Sequence, residues 1–137
     1  MATEEFMKRS LELVERSSMC LVGSVSEQGF PNVKAMFIMG REGLKVFRFV
    51  TGTPTQRVSQ FRDNPKACLF FVDADGHSSL MLEGLMGIVE DQAEKDALWQ
   101  DGFEGTFPKG KTDPDYCVLR FTAEKAKHYP LFQEFAI

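Results

Sequence analysis

Residues 44–65 read LKVFRFVTGTPTQRVSQFRDNP and predict a strand, a threonine-rich turn and a short helix in succession. The first seven residues have the apolar content of a strand, and the Asn-Pro pair is expected to end the helix. Thr53 suits the N-cap and Pro54 the first helical position, and Gln56 stands where a capping box has Glu or Gln. The stretch therefore predicts a strand followed directly by a capped helix.

The start of this helix is a candidate anion-binding site. Thr51, Thr55 and Arg57 place two hydroxyls and a guanidinium around backbone N–H groups that have no intrahelical acceptor. Free donors and the helix dipole both favour an anion at this position. The alternative is a capped helix that binds nothing, with Arg57 solvated or paired with a carboxylate. The sequence has neither a Walker lysine motif nor G-x-G-x-x-G, so the usual nucleotide-binding loops are absent.

The composition restricts the class of protein. The 137 residues are 43% hydrophobic and 26% charged, which predicts one globular domain over residues 1–137. A net charge of −4 argues against a nucleic-acid partner. Cys20, Cys68 and Cys117 lie in apolar runs, which predicts reduced, buried thiols in a cytoplasmic protein. The two histidines have no ligand-spaced partner, so no metal site is expected, and no apolar run is long enough to predict a membrane span.

Strand-like runs alternate with turns along the rest of the chain. The expected elements are a helix at 3–17, strands at 19–25, 31–39, 44–50, 66–72, 79–90 and 116–122, a turn at 40–43, a short helix at 91–100 and a loop at 101–115. The first three strands, joined by Gly-containing turns, predict an antiparallel meander. Gly84 and Gly87 predict a bulge or a bend in the fifth strand. The tail after residue 122 is expected to be irregular or partly helical.

Six mostly antiparallel strands with short flanking helices predict a mainly β (α+β) fold, a small closed or partly closed barrel. Leu44, Val46 and Val50 share one face of the third strand. Phe47 and Phe49 occupy the other face, although a small barrel needs only its inner face to be apolar. The second apolar face predicts a cover, which is either a second copy of the chain or helices packed on the barrel.

Several motifs stand in a particular order along the chain. They are Thr51-x-x-x-Thr55-x-Arg57, Asn64-Pro65, Leu82-Glu83-Gly84, the helix containing Trp99, Phe107-Pro108-Lys109-Gly110, Asp113-Pro114-Asp115 and Val118-Leu119-Arg120. Together with the order of strands they resemble the pyridoxamine 5′-phosphate oxidase-like, FMN-binding split-barrel family, in its general stress protein branch. The resemblance covers nearly the whole chain. It implies a homodimer of six-stranded split barrels with FMN at the subunit interface.

The resemblance also implies roles for individual residues. Arg57 matches the family's basic phosphate ligand, more often a lysine, and Thr55 keeps the hydroxyl of a usual serine. The implied cofactor-binding residues are Lys34, Ala35, Met36, Phe37, Ile38, Val50, Thr51, Thr55, Gln56, Arg57, Ser79 and Trp99. Of these, Lys34, Thr51, Thr55 and Arg57 are expected at the phosphate, and the backbone of residues 35–38 and 50 along the isoalloxazine. Trp99 either covers a flavin from the partner chain or anchors its helix on the barrel.

The implied activity is that of an FMN-dependent oxidoreductase acting on an unidentified small molecule. The absence of an acid–base constellation fits this class, because the flavin itself carries the redox chemistry. The chain lacks the Trp- and Arg-rich C-terminal segment of a true pyridoxamine phosphate oxidase, and Thr106 replaces a tryptophan common in the branch, so another substrate is expected. The alternatives are a non-catalytic stress-response dimer that sequesters a flavin, a haem or a deazaflavin, and a folded protein that binds none of them.

Overall fold

The computed structural model describes residues 2–130 and 133–137. Its helices are α1 (Ala2–Glu15), α2 (Gln56–Asp63) and α3 (Gln92–Leu98), and its strands are β1 (Met19–Val25), β2 (Pro31–Phe37), β3 (Gly40–Glu42), β4 (Val46–Gly52), β5 (Lys66–Asp73), β6 (Ser78–Ile88), β7 (Tyr116–Tyr129) and β8 (Gln133–Ala136). Two 3-10 turns, Phe103–Gly105 and Gly110–Thr112, shape the loop between α3 and β7. None of the described helices is long and apolar enough to cross a bilayer.

The strands form one antiparallel sheet in the order β2-β1-β5-β6-β7-β4-β3, with β8 paired to β7. The sheet curls into a half-barrel, and Met39 N donates a hydrogen bond to Arg48 O at 2.9 Å, joining the chain just after β2 to β4. Phe47, Phe49 and Phe121 are fully buried in the core that the curl encloses. The predicted mainly β split barrel with short flanking helices is confirmed, and its six expected strands are joined by β3 and β8.

Three predictions about strands are wrong. The meander does not form, because β4 pairs with β7 and β3, whereas β2 pairs with β1. Residues 40–42, expected within a turn, form β3. The tail is not irregular, because β7 continues to Tyr129 and β8 follows it, although residues 131–132 of that tail lie outside the described residues. The common reason is long-range burial, since the apolar face of β4 packs beside β7 and not beside its neighbour in sequence.

The predicted bulge is confirmed at Gly84. Glu83 lies opposite Lys125 and Gly84 opposite Ala123, so β7 has one extra residue at this point. A Cβ atom on Gly84 would collide with the carbonyl oxygen of Thr122, so a glycine is needed where β7 approaches. The bulge bends β6 and β7 together and helps to curl the sheet.

The three cysteines are all free. Cys20 and Cys117 are buried as predicted, whereas Cys68 is only half-buried. Burial, with a smaller contribution from Cys68, raises the pKa of the Cys20 thiol to about 12. A thiol held in its protonated form is a poor nucleophile, so Cys20 serves as a small apolar core residue.

Candidate cofactor site

A cavity of about 390 Å³ lies between the first turn of α2 and the β1–β2 hairpin. Its lining residues are Val22, Ser24, Asn32, Val33, Lys34, Thr55, Gln56, Arg57 and Gln60. The strand register sets Lys34 opposite Val22 and Asn32 opposite Ser24, so these four side chains share one face of the hairpin. We call this space the polar cavity, and it brings together Lys34, Thr55, Gln56 and Arg57 of the predicted site.

Two polar atoms at the polar cavity have no partner. Arg57 Nη1 and Thr55 Oγ1 are both buried, and neither makes a hydrogen bond to any described residue. Burial lowers the pKa of the Arg57 guanidinium, which is the direction expected for a cation without a counter-charge. An unsatisfied buried donor costs about 1–3 kcal/mol. The arrangement therefore favours an anionic ligand that accepts hydrogen bonds from both atoms.

Helix α2 begins later than predicted. The N-cap is Thr55 and not Thr53, and the Thr55 side chain makes no capping hydrogen bond. Thr53 instead donates from Oγ1 to Pro114 O at 2.9 Å and from its backbone N to Asp115 O at 2.8 Å. The predicted capping box is therefore wrong, because these contacts with the loop before β7 hold Thr53 and Pro54 outside the helix. Gln56 is the first residue of α2 and not its third.

A buried hydrogen bond supports the floor of the polar cavity. Ser24 Oγ donates to Gln60 Oε1 at 2.6 Å, which ties α2 to β1. The sequence reasoning missed both residues. The sequence does indicate Gln60, because it follows Gln56 by four residues and therefore lies on the same face of α2.

A second cavity, of about 360 Å³, lies between the edge of β2 and the end of β4. Its lining residues are Lys34, Ala35, Met36, Phe37, Met39, Val50, Thr51, Gly52, Phe103, Thr106 and Phe107. We call it the apolar cavity, since Lys34 is the only ionisable side chain among these described residues. Lys34 also lines the polar cavity, so the two spaces adjoin at this residue. Because β2 is an edge strand, backbone polar groups along its free edge remain available to a ligand.

Not every predicted site residue lies where it was expected. Thr51 lines the apolar cavity beside Val50, whereas it was predicted at the phosphate. Ile38, Ser79 and Trp99 are not among the described residues that line either cavity. Ile38 packs on the barrel core, and Ser79 lies opposite Val72 in the pairing of β5 with β6.

Trp99 lies behind the apolar cavity and forms part of its support. Its ring meets Tyr116 edge-on at 5.0 Å between centroids and Phe103 at 5.4 Å. Phe103 and Phe107 in turn line the cavity. Within the chain Trp99 therefore anchors the end of α3, the second of its two predicted roles. Phe103 was missed as a lining residue, although its spacing of four from both Trp99 and Phe107 groups the three rings.

Comparisons with known proteins agree with this architecture. The family model described as "Pyridoxamine 5'-phosphate oxidase like" matches residues 5–131. A solved protein of Clostridium acetobutylicum, related to general stress protein 26 of Bacillus subtilis and to the pyridoxinephosphate oxidase family, is 43% identical with a TM-score of 0.85, over 98% of this chain and 96% of its own.

Two more distant structures show the same fold. General stress protein 26 of Bacillus anthracis str. Sterne is 14% identical, with a TM-score of 0.78 over 97% of this chain and 99% of its own. A pyridoxamine 5′-phosphate oxidase-related, FMN-binding protein of Nostoc punctiforme PCC 73102 is 16% identical, with a TM-score of 0.69 over 99% and 93%. A search of curated proteins gave no match. The chain belongs to the pyridoxamine 5′-phosphate oxidase-like family.

Proposed function

We propose that this chain is a single FMN-binding domain that forms a homodimer in the cytoplasm and acts as an FMN-dependent oxidoreductase on a small molecule. The observation that carries the proposal is the pair of unpartnered buried atoms, Arg57 Nη1 and Thr55 Oγ1. They lie at a polar cavity that adjoins an apolar one at Lys34. A ligand with a dianionic end and a flat, mostly apolar body fits this pair of spaces.

FMN matches that description group by group. Arg57 and Thr55 hold the phosphate by charge-assisted and neutral hydrogen bonds, and Lys34 adds a second positive charge. The edge of β2 at residues 35–37, with Val50 and Thr51 opposite, orients the ring system. When bound, the flavin supplies hydride or single-electron transfer. The apolar lining, with Phe103 and Phe107 on one side, limits the access of water to the ring.

The positions of the histidines favour a flavin over a haem. Both histidines of the chain are described, and neither lines the polar or the apolar cavity. His128 lies in a separate cavity beneath α1, and His77 lies in the turn between β5 and β6. A haem in the proposed site would therefore lack an imidazole ligand from this protomer, although histidine is a common haem ligand.

The outer face of the half-barrel supports the proposed homodimer. Val33, Phe37 and Val72 are 65%, 64% and 61% exposed, and they lie on the outward face of β2, β1 and β5 together with Leu21. A contiguous exposed apolar face of this kind marks an interaction surface. Phe37 also lines the apolar cavity, so a second subunit on this face would lie beside the flavin ring.

The test is the visible absorption spectrum of the freshly purified protein, followed by mass spectrometry of the released ligand. The proposal expects flavin absorption and the mass of FMN. A colourless protein that also fails to bind added FMN would contradict it. Reduction of the bound flavin by NADH or NADPH, with turnover onto an acceptor, would separate the oxidoreductase from a protein that only sequesters flavin.

A further inference from the structure

Helix α3 lies on the outer side of the sheet and is attached there by a cluster of charges. Glu94 of α3 accepts a hydrogen bond from Arg48 Nε at 2.7 Å and two from Arg120 Nη1 at 3.0 and 3.1 Å. The Glu94 side chain is only 18% exposed and that of Arg48 only 21%, so the pair is partly shielded from water. This placement makes the interaction stronger than that of an exposed surface pair.

Glu94 offsets the repulsion between the two arginines. Arg48 on β4 lies directly opposite Arg120 on β7 in the strand register. Like charges directly opposite each other destabilise a sheet. Glu42 also pairs with Arg48 at 2.7 Å, but Glu94 contacts both guanidinium groups. Its carboxylate therefore bridges two cations that would otherwise repel, and α3 is held where the bridge forms.

The end of α3 leads directly to the wall of the apolar cavity. Trp99 is the C-cap residue of α3, and its ring packs on Phe103 and, at 6.5 Å, on Phe107. Phe103 and Phe107 line the apolar cavity. The hydroxyl of Tyr116 donates to Lys95 O at 2.7 Å and provides a second attachment for the helix. A displacement of α3 would therefore move the aromatic wall, which is joined to the helix through the Trp99 ring.

We propose that Glu94 is a positioning residue, which holds α3 through Arg48 and Arg120 and so fixes the aromatic wall against which the flat part of the ligand binds. The proposal rests on the proposed function for the identity of that ligand. The ring end of the site, which is the apolar cavity, then depends on a charge cluster that lies outside both cavities. The phosphate end, built from α2 and β2, does not depend on it.

The test compares Glu94→Gln with Glu90→Gln, which removes the same charge from an exposed residue just before α3. Trp99 is the only tryptophan of the chain, so its emission reports directly on the end of α3. We expect a red-shifted Trp99 emission in Glu94→Gln and none in Glu90→Gln. We also expect the Kd values of riboflavin and of FMN to rise by the same factor, about three- to tenfold, which is within the range of interaction energies between residues of one charge network. The factor is the same because the displaced wall contacts the ring system that both ligands share. Circular dichroism checks that each variant is folded.

A second variant separates positioning from general damage. Adding Arg120→Gln to Glu94→Gln removes one of the two opposed cations, so Trp99 emission and riboflavin affinity should move back toward wild type. The proposal is overturned if Glu94→Gln matches Glu90→Gln in both readouts, or if Arg120→Gln worsens the loss. If neither the wild type nor any variant binds a flavin, the proposed function fails. The shift of Trp99 emission in Glu94→Gln, and its recovery in the double variant, would then still decide the role of Glu94.

Discussion

Replacing Arg57 by alanine should weaken the binding of FMN but leave the binding of riboflavin unchanged. Riboflavin has the same ring system and ribityl chain as FMN but lacks the phosphate. In the proposed complex the Arg57 guanidinium contacts only the phosphate, since it lines the polar cavity and not the apolar one. The two ligands therefore separate the phosphate contact from every other effect of the substitution.

The magnitude follows from the type of hydrogen bond that is lost. A charge-assisted hydrogen bond contributes about 1.5–3 kcal/mol, which corresponds to about a 10- to 150-fold increase in the Kd for FMN. The free protein should not lose stability, because Arg57 Nη1 has no partner among the described residues. Arg57→Lys keeps the charge but not the planar, two-pronged geometry, so its Kd should fall between those of wild type and Arg57→Ala.

The assay is titration of apoprotein with each ligand, followed by flavin fluorescence. Arg62→Ala is the matched control, because Arg62 is an exposed arginine in the last turn of the same helix. The control should bind both ligands as wild type does. Equal weakening of FMN and riboflavin by Arg57→Ala, or no weakening of FMN, would refute the assignment of the polar cavity to the phosphate.

Three other predictions test the fold and the assembly. Gly84→Ala should lower the free energy of unfolding by at least about 2 kcal/mol in urea, because the new Cβ collides with backbone, whereas Gly87→Ala, with its nearest atom at 3.9 Å, should cost less. Val72→Glu on the exposed apolar face should convert the proposed dimer to monomers in analytical ultracentrifugation. The control is Ala97→Glu, at an exposed residue of α3, and a Val72→Glu dimer as stable as that of the control would exclude this face. Burial lowers the pKa of His128, so between about pH 6.5 and that lower pKa the unfolded chain binds more protons than the folded one. The free energy of unfolding in urea should therefore fall as the pH drops below about 6.5, and less so in His128→Gln.

Local features of the fold were predictable from the sequence. The bounds of β1, residues 19–25, are the predicted ones, because an apolar run between two polar turns defines them. The bulge at Gly84 was also predicted, since a glycine within a strand marks a bend or a close approach of backbone. Both signals depend only on neighbouring residues.

Features that depend on distant residues were not predictable in the same way. Phe47 on β4 pairs with Phe121 on β7, and no turn signal in the sequence specifies that partner. The start of α2 is moved by the contact of Thr53 with Pro114, 61 residues away along the chain. Thr55 takes the N-cap position instead and its hydroxyl makes no capping hydrogen bond, so the local capping rule was wrong at the position where the proposed site needs an unpaired donor.

The candidate site was predicted in its composition better than in its arrangement. The motif from Thr51 to Arg57 identified the start of the helix, and the resemblance to the family identified the residues of β2. The division into a polar and an apolar cavity that adjoin at Lys34 became clear only from the curl of the sheet. Thr51 lines the apolar cavity, whereas Phe103 comes from a loop whose sequence gives no strand or helix pattern.

In the proposed complex the start of α2 holds the phosphate of a flavin mononucleotide. A crystal structure of the protein grown with saturating FMN would show this contact or its absence. We expect the phosphate within hydrogen-bonding distance of Arg57 Nη1 and Thr55 Oγ1, with the ring along β2. A structure in which the flavin phosphate lies elsewhere, or in which these two atoms stay unpaired with FMN bound, would contradict it.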